Sequence, residues 1–492
     1  MAQKNNTNKK LILGLKVKQL RLANKLSFSD LAEHTGLSVS YLNEIEKGKK
    51  FPKEDKLKSI SNSLKVSFEE LTSPHLKGGL APVGELLKSN FLRELPLDLF
   101  GIELNKVVEI IASSPLKVGA FISTLVELSR TYEFKEESFY FRALRAYQEM
   151  HLNYFEDIED EIEKFVQEFE LPVGGAVPVE VLEDILSSKF GYTIEAGSLE
   201  KRQGLGNVRS IYNEKKRLLY LNGKMNSMQL AFQLGKELGF QYLKLSKRPY
   251  SSTFNRVKSF EEVLNNFKAS YFSVGILINK NSILKDLEEW FSQTRLNPQF
   301  LINLSQKYKA SSSVLFQRFN VLPQYFGIDK LFYLQTKYHL KKDSYFIDKE
   351  LHLSKKHKPH ANGLDETYCR RWLGVSALNV MKNNPEMDNL YLMQKSKYIG
   401  TDEEYLVVAN GRKNYPLLDI NTSVSVGMLL DDNARKTIRF SKDPNIPVKE
   451  VNVTCERCSE MNCQERAAPP IIIEKQNKQM QIEQEIADLL NS

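Results

Sequence analysis

At 492 residues, 41% hydrophobic and 26% charged, the chain has enough apolar material for sizeable cores and about three domains, which excludes a disordered regulator. Its apolar stretches are short and interrupted, and the start MAQKNNTNKK lacks the apolar core of a signal peptide; the expectation is a cytoplasmic protein with no membrane partner. The formal charge of +8 is uneven: up to Thr72, fourteen Lys and Arg stand against eight Asp and Glu, so that segment alone supplies +6.

Residues 13–71 carry the pattern of two short helices joined by a glycine turn. Leu31 and Ala32 fall on the first, Gly36 makes the turn, and Ser38 opens a second helix with Leu42 and Ile45 facing inward. That is the geometry of a DNA-binding helix-turn-helix. Ser38 as N-cap leaves Val39, Ser40, Tyr41 and Asn43 near the exposed end that enters a major groove, where they are the expected base contacts. Arg21 and Glu46 are placed to pair and lock the helices, and Gly48 to end the second one. Lys47, Lys49, Lys50 and Lys53 are the expected phosphate contacts, each neutralised phosphate adding about −0.9 to the slope of log affinity against log salt.

The run resembles the Cro/C1-type (XRE) helix-turn-helix family. Where that family often has Gln at the start of the motif's first helix, this chain has Phe28. The resemblance therefore implies that Ser27 or Ser29 takes over the glutamine's phosphate hydrogen bond.

The stretch 72–84 is rich in Gly and Pro and reads as a linker. From 94 to 170 apolar residues recur at three and four, predicting a helical bundle or dimerisation region, mostly one continuous helix at its end. Its many aromatics call for a partner surface, and a second copy of the chain is the simplest candidate.

Between 171 and 245 the order is a linker and helix, then strands at YTIEA, VRSIYN and RLLYLN, then the helix SMQLAFQLGKELGFQYLKL. This order resembles the zincin-like domain of regulators related to the ImmA/IrrE metallopeptidases. An active member carries His-Glu-x-x-His on the second helix; the matching positions here are Lys236, Glu237, Leu238, Gly239 and Phe240. A lysine repels zinc and a phenylalanine offers no lone pair, so a closed apolar pocket without metal is expected. Glu237 is then a solvent-side or salt-bridged helix residue.

Helical patterns return over 259–327. Strand-like runs follow at KLFYLQTKYH, SYFID, LYLMQK, EEYLVVANGRK, SVSVGMLLD and TIRFS, predicting an antiparallel sheet of the kind found in small-molecule sensor domains. The last stretch predicts a charged amphipathic helix or frayed tail.

Three of the four cysteines sit in VTCERCSEMNCQERAAPP as Cys455-x-x-Cys458-x-x-x-x-Cys463. Thiolates at such spacing chelate one centre from a tight turn, and Cys369, in DETYCRRWLG, completes four if it comes from a facing strand or loop. Zinc and an iron-sulfur cluster both accept four cysteines, and the spacing does not separate them. Polar neighbours such as Glu456 and Arg457 argue against simple burial.

The helix-turn-helix, the broken zincin motif, YCRRW and the terminal C-x-x-C-x-x-x-x-C-x-x-R-A-x-P-P together resemble the short-chain fatty acyl transcriptional regulator family, over nearly the whole chain. The resemblance implies a bacterial transcription factor of propionate or acetate metabolism. It implies acyl-CoA sensing in the C-terminal region and an iron-sulfur cluster, of 4Fe-4S type, on Cys369, Cys455, Cys458 and Cys463, with zinc as the alternative. CoA phosphates need cations; Lys355 and Lys356, and Arg370 with Arg371 beside Cys369, are the expected effector contacts.

The expected fold is multidomain α+β. It comprises a helix-turn-helix at 10–72, a linker and helical dimerisation region at 73–170 and a degenerate zincin-like α/β domain at 171–326. A sensor domain with an antiparallel sheet follows at 327–475, and a tail helix at 476–492. The expected partners are a double-stranded DNA operator, an acyl-CoA and a second copy of the chain; no enzyme activity is expected. The competing readings are a metallopeptidase that cleaves a repressor, and a redox- or iron-sensing regulator without an acyl ligand.

Overall fold

The computed structural model describes residues 2–76, 136–252, 257–353, 366–414 and 417–491. Most of the linker, and the helices expected before residue 136, lie outside the described residues. The chain divides into two compact units, Met1–Tyr147 with Lys258–Phe260, and Gln148–Val257 with Glu261–Ser492.

The first unit begins with α1 (Ala2–Ala23), α2 (Phe28–Thr35), α3 (Val39–Glu46), α4 (Glu54–Ser63) and α5 (Phe68–Thr72). Serines begin three of these short helices: Ser27, Ser38 and Ser67 each accept a backbone N–H from the first turn. Leu13, Val17, Leu31, Leu42, Ile45, Leu57, Ile60 and Leu71 form one buried core. Gly14 lets α1 cross the end of α3 at backbone distance, since a Cβ there would sit 2.8 Å from the Glu46 carbonyl oxygen.

In the region expected as one long helix, the chain forms α6 (Glu136–Met150) and α7 (Glu156–Glu168) instead. Leu152 and Asn153 adopt φ of 51° and 53°, a left-handed conformation that ends α6. The aromatics after the break find their partner within the same unit. Phe155 meets Phe267 and Tyr271 edge-on, and Phe165 meets Phe272, all three on α10 (Phe260–Leu277). Glu159 of α7 accepts two bonds from Arg318, at 2.5 and 3.0 Å, and one from the Tyr271 hydroxyl at 2.8 Å. The Arg318 and Glu159 side chains are 0% and 1% exposed, so losing either would strand a buried charge.

Next come α8 (Val179–Ser188), β1 (Thr193–Ala196), β2 (Ser210–Asn213), β3 (Leu218–Leu221) and α9 (Ser227–Tyr242), the order read from the sequence. β3 is central, parallel to β1 and antiparallel to β2. Gly235 and Gly239 of α9 admit close packing against Ser273, Ala269 and Phe272 of α10.

After α11 (Lys280–Ser292), α12 (Gln299–Lys307), α13 (Ser312–Gln317) and α14 (Leu322–Phe326), a six-stranded sheet forms. It comprises β4 (Leu331–His339), β5 (Ser344–His352), β6 (Asn389–Tyr398), β7 (Glu404–Asn414), β8 (Leu417–Leu429) and β9 (Val448–Val451), in the order β5-β4-β8-β7-β6-β9. The expected antiparallel sheet needs one correction: β9 runs parallel to β6. It arrives by a crossover rather than a hairpin, as a parallel neighbour must. TIRFS is part of that crossover and not a strand. Ile438 and Phe440 mimic alternation, but Asp431 accepts the Ala434 N–H at 3.0 Å and starts α16 (Asp432–Thr437), and a 3-10 turn spans Arg439–Lys442.

The sequence reading also missed α15 (Leu373–Asn383), which packs on β7 and β8 through Leu373, Val375, Ala377, Leu378 and Met381. Beneath it lies a hollow of about 20 Å³ lined by residues including Phe332, Trp372, Val375, Ser396, Tyr398 and Ser425, room for a water but not for an acyl chain. The tail is α17 (Ile471–Asn491), with no buried residue among those described.

Candidate nucleic-acid interface, cysteine cluster and cationic cleft

The turn between α2 and α3 is built as expected: Gly36 has φ 69° and its N–H bonds the Ala32 carbonyl. The Ser38 hydroxyl accepts the Tyr41 N–H at 3.2 Å, which fixes the start of α3 and leaves Ser38, Val39 and Ser40 exposed. Asn43 is half-buried beside them. Tyr41 is half-buried too, with the Lys56 ammonium 4.5 Å above its ring, so its face is already covered. Lys47, Lys49, Lys50 and Lys53 are exposed around the end of α3, where Gly48 takes φ 68°.

Arg21 and Glu46 pair as the sequence suggested, through contacts of 2.6 and 3.0 Å, and the guanidinium also bonds the Leu26 carbonyl. Phe28 has a place in this lock: its ring centroid lies 4.1 Å from the Arg21 guanidinium carbon. The ring steadies the cation that ties α1 to α3. Ser27 is engaged as a cap, accepting the Asp30 N–H at 3.1 Å while Asp30 takes the Ser27 N–H at 2.7 Å. Ser29 is exposed next to it.

Residues 17–71 match the helix-turn-helix family. The N-terminal domain is a DNA-binding helix-turn-helix of the Cro/C1 type. No curated protein matches the chain. Among solved structures, a transcriptional regulator of Mycobacterium tuberculosis is 17% identical, covering 67% of this chain and 93% of that one, with a TM-score of 0.49. At that score the likeness carries no argument about this chain. No helix among the described residues is long and apolar enough to cross a membrane.

Far from the helix-turn-helix in sequence, the facing segment expected for Cys369 exists. Tyr368 and Thr454 form an antiparallel bridge, the Cys369 N–H bonds the Val453 carbonyl at 3.2 Å, and the Cys455 N–H bonds the Thr367 carbonyl at 2.9 Å. Glu366 grips Arg457 and the Thr454 hydroxyl, and Glu456 takes the Thr367 N–H, so the two segments are stitched from both sides. Arg466 holds the turn by donating to the carbonyls of Cys455, Cys458 and Glu460 at 2.7, 3.0 and 2.6 Å. Burial pushes the Cys369 thiol up, and the Cys455 and Cys458 thiols near it add to that push.

Cys369, Cys455 and Cys458 are buried, Cys463 is half-buried, and all four are free thiols. The Ala467 N–H points at the Cys455 sulfur at 3.4 Å, the kind of donor that stabilises a thiolate ligand. The donor chemistry thus suits zinc or an iron-sulfur cluster. Among the described residues, however, no group of three or more His, Cys, Asp or Glu stands as a ready metal shell. The cysteine segments would have to close around a centre.

At the positions read from sequence as a degenerate zincin motif, Glu237 is 4% exposed, which rules out the solvent-side alternative and leaves the salt-bridged one. Arg248 donates to it at 2.6 Å and the Tyr192 hydroxyl at 3.3 Å. The Arg248 guanidinium also lies 3.9 Å from the Phe240 ring centroid and 4.5 Å from that of Tyr212. A tethered cation therefore neutralises the motif's glutamate, stacked on the residue that stands where a second histidine would.

Beside it is a cluster the sequence reading missed. Lys236 on α9, Arg209 at the edge of β2, Lys349 on β5 and Arg412 on β7 lie close enough for the repulsion to pass along the series. Lys349 and Arg209 hold down Lys236, and Arg412 holds down Arg209. Burial is the larger cause in each case and also lowers Lys349 and Arg412; it brings Arg209 down to about 10. Lys349 is exposed and Arg209 and Arg412 are half-buried. Their partners are few. Arg209 reaches the Asn414 side chain at 3.3 Å, and Arg412 reaches the Ser313 hydroxyl at 2.7 Å while its Nε is buried without a hydrogen bond among the described residues. The nearby carboxylates are already paired: Lys337 holds Asp348 at 2.9 Å, and Arg248 holds Glu237 at 2.6 Å.

The arginine pair proposed from sequence is differently engaged. Arg370 stacks 4.4 Å over Tyr345, and Arg371 faces Glu465 at 3.7 Å. Lys355 and Lys356 lie outside the described residues. What betrayed the cleft in the sequence was Lys236 itself, a lysine set into the otherwise apolar helix LAFQLGKELGF.

Proposed function

We propose that the chain is a bacterial one-component transcription regulator without enzyme activity. It binds its operator as a homodimer on half-sites about 34 Å apart and responds to a short-chain acyl-CoA. The observation that carries the effector reading is the cationic cleft. Four cations with two nearby carboxylates, Asp348 and Glu237, each already paired, carry a repulsion that a polyphosphate relieves. The CoA phosphates bind Arg209, Lys236, Lys349 and Arg412 in this reading, in place of the expected Arg370, Arg371, Lys355 and Lys356.

Effector binding shifts DNA affinity by as much as the ligand's affinity differs between the two arrangements of the helix-turn-helix heads. The test is an operator selected from a random-sequence library, titrated with propionyl-CoA. Operator affinity changes if the reading holds, and an unchanged affinity with the cysteine centre loaded overturns it.

Cys369, Cys455, Cys458 and Cys463 would hold the iron-sulfur cluster or zinc. A cluster when bound supplies redox sensitivity, whereas zinc supplies only folding free energy. Support comes from the stitched segments and the amide aimed at Cys455. Metal analysis and visible absorbance of anaerobically purified protein decide between them: iron with charge-transfer absorbance supports a cluster, and colourless protein with stoichiometric zinc removes it. The metallopeptidase reading is disfavoured by Arg248, whose guanidinium engages the glutamate that would activate water.

A further inference from the structure

α17 is fastened to the cysteine turn at its first turn only. There the Ile472 and Ile473 N–H groups reach the Glu456 carbonyl at 3.1 and 3.4 Å, and both side chains are half-buried. From Glu474 to Asn491 every residue is exposed. A lone helix of this length draws little stability from propensity in water; helices are held mainly by an apolar face packed on something. α17 carries such a face. Ile482, Ile486 and Leu490, four residues apart, line one side with Met480 beside them, and they are 46%, 51%, 81% and 57% exposed. Gln481, Gln484 and Asp488 share the opposite side, where the Gln484 amide donates to Asp488 at 2.9 Å.

We infer that this face docks on α17 of a second copy of the chain, the two helices pairing antiparallel through Met480, Ile482, Ile486 and Leu490. The inference rests on the homodimer reading above and names one surface of it. Charge decides the occupant and the direction. The half nearer the cysteine turn carries Lys475 and Lys478 against Glu474, whereas the far half carries Glu483, Glu485 and Asp488 with no cation. So acidic an end is unsuited to DNA or an anionic membrane. Two copies running the same way would set acidic end on acidic end; running opposite ways, each acidic end meets the partner's lysines. Lys478 and Glu485 sharpen this. Seven residues apart, they recur at one margin of the apolar stripe, and residues at the same flanking position face one another in an antiparallel pair. Lys478 of one copy therefore lies against the partner's Glu485, twice by symmetry.

The experiment is sedimentation equilibrium of the full-length protein over a dilution series, alone and on the selected operator. Ile482→Asp with Ile486→Asp should raise the dimer dissociation constant by about 100-fold or more, because the pair buries both side chains from both copies. Lys478→Glu should raise it about fivefold, two attractive contacts having turned repulsive. Adding Glu485→Lys to that chain should return it to within about twofold of wild type, a rescue that unwinding of α17 by the new charges could not give. Four results are adverse and separable. A wild-type dimer that none of these substitutions weakens overturns the assignment of α17 and leaves the homodimer reading standing. Weakening by Lys478→Glu that Glu485→Lys does not repair overturns the antiparallel pairing, as two helices running the same way would behave. A wild type that is monomeric in solution yet sits as two copies on the operator removes α17 as the interface. One copy in solution and one on the operator overturns the homodimer reading itself.

Discussion

The helix-turn-helix and the cationic cleft are both basic surfaces, built in opposite ways. In the first, the determinants lie within about sixty residues and most act locally: a serine cap, a glycine turn, and lysines on exposed positions. In the second, Arg209, Lys236, Lys349 and Arg412 come from four elements, and only Lys236 stands out in its own stretch of sequence. The first exposes its cations to water. The second crowds them with protein, where each lowers its neighbour's hold on a proton. Surface charge gives general affinity for a polyanion, whereas crowded charge stores repulsion that one fitted ligand relieves.

The widest departure from local logic is the cysteine cluster, and its test has the largest expected effect. Cys458→Ser should take bound iron or zinc from about one centre per chain to none, read by metal analysis; unchanged content would mean the four thiols do not share a site. Inside the helix-turn-helix, one determinant is tertiary. Arg21→Met should destabilise the N-terminal domain by about 3–5 kcal/mol, because it strands the Glu46 carboxylate, whereas Arg21→Met with Glu46→Leu should be nearly neutral. Denaturant midpoints of the full-length variants check both, and equal losses would show that the pair is not the lock.

In the cleft, Arg412→Ala should weaken propionyl-CoA by roughly 10- to 100-fold, the worth of a charge-assisted contact, in a direct binding titration. The finest distinction lies on the DNA surface. Lys49→Ala or Lys50→Ala should each reduce the slope of log affinity against log salt by about 0.9 without changing base preference. Asn43→Ala should instead cost about 1–3 kcal/mol and relax preference at one base pair. If Asn43→Ala weakens all sequences equally, it is a positioning contact.

Legibility followed the range of the interaction. Caps, the glycine turns at Gly36 and Gly48, the Arg21–Glu46 pair, most strands of the large sheet and the helix-strands-helix order before α10 could all be read. Most follow from residues a few positions apart or from a strong period; the Arg21–Glu46 pair, 25 positions apart, followed from the helix-turn-helix pattern. TIRFS misled because Ile438 and Phe440 alternate as in a strand, while the cap at Asp431 decided for helix. The continuous helix expected before residue 170 misled as well. Nothing in its apolar spacing announces positive φ at Leu152 and Asn153, and Phe155 and Phe165, two of the aromatics in that stretch, meet α10. Phe28 looked like a lost phosphate contact; its contact with Arg21 shows a packing role besides.

The sequence alone determined the helix-turn-helix, the concentration of positive charge upon it, the presence of Lys236 and Phe240 rather than histidines around Glu237, and the grouping of three cysteines. These are matters of residue type and short spacing, which folding does not alter. Only the tertiary structure decided that Cys369 faces the terminal cysteines across a two-strand bridge, that Arg248 neutralises Glu237, and that four distant cations share one cleft. Those depend on which segments pack together, and packing sets the burial and proximity on which the charge of a side chain such as Lys236 depends.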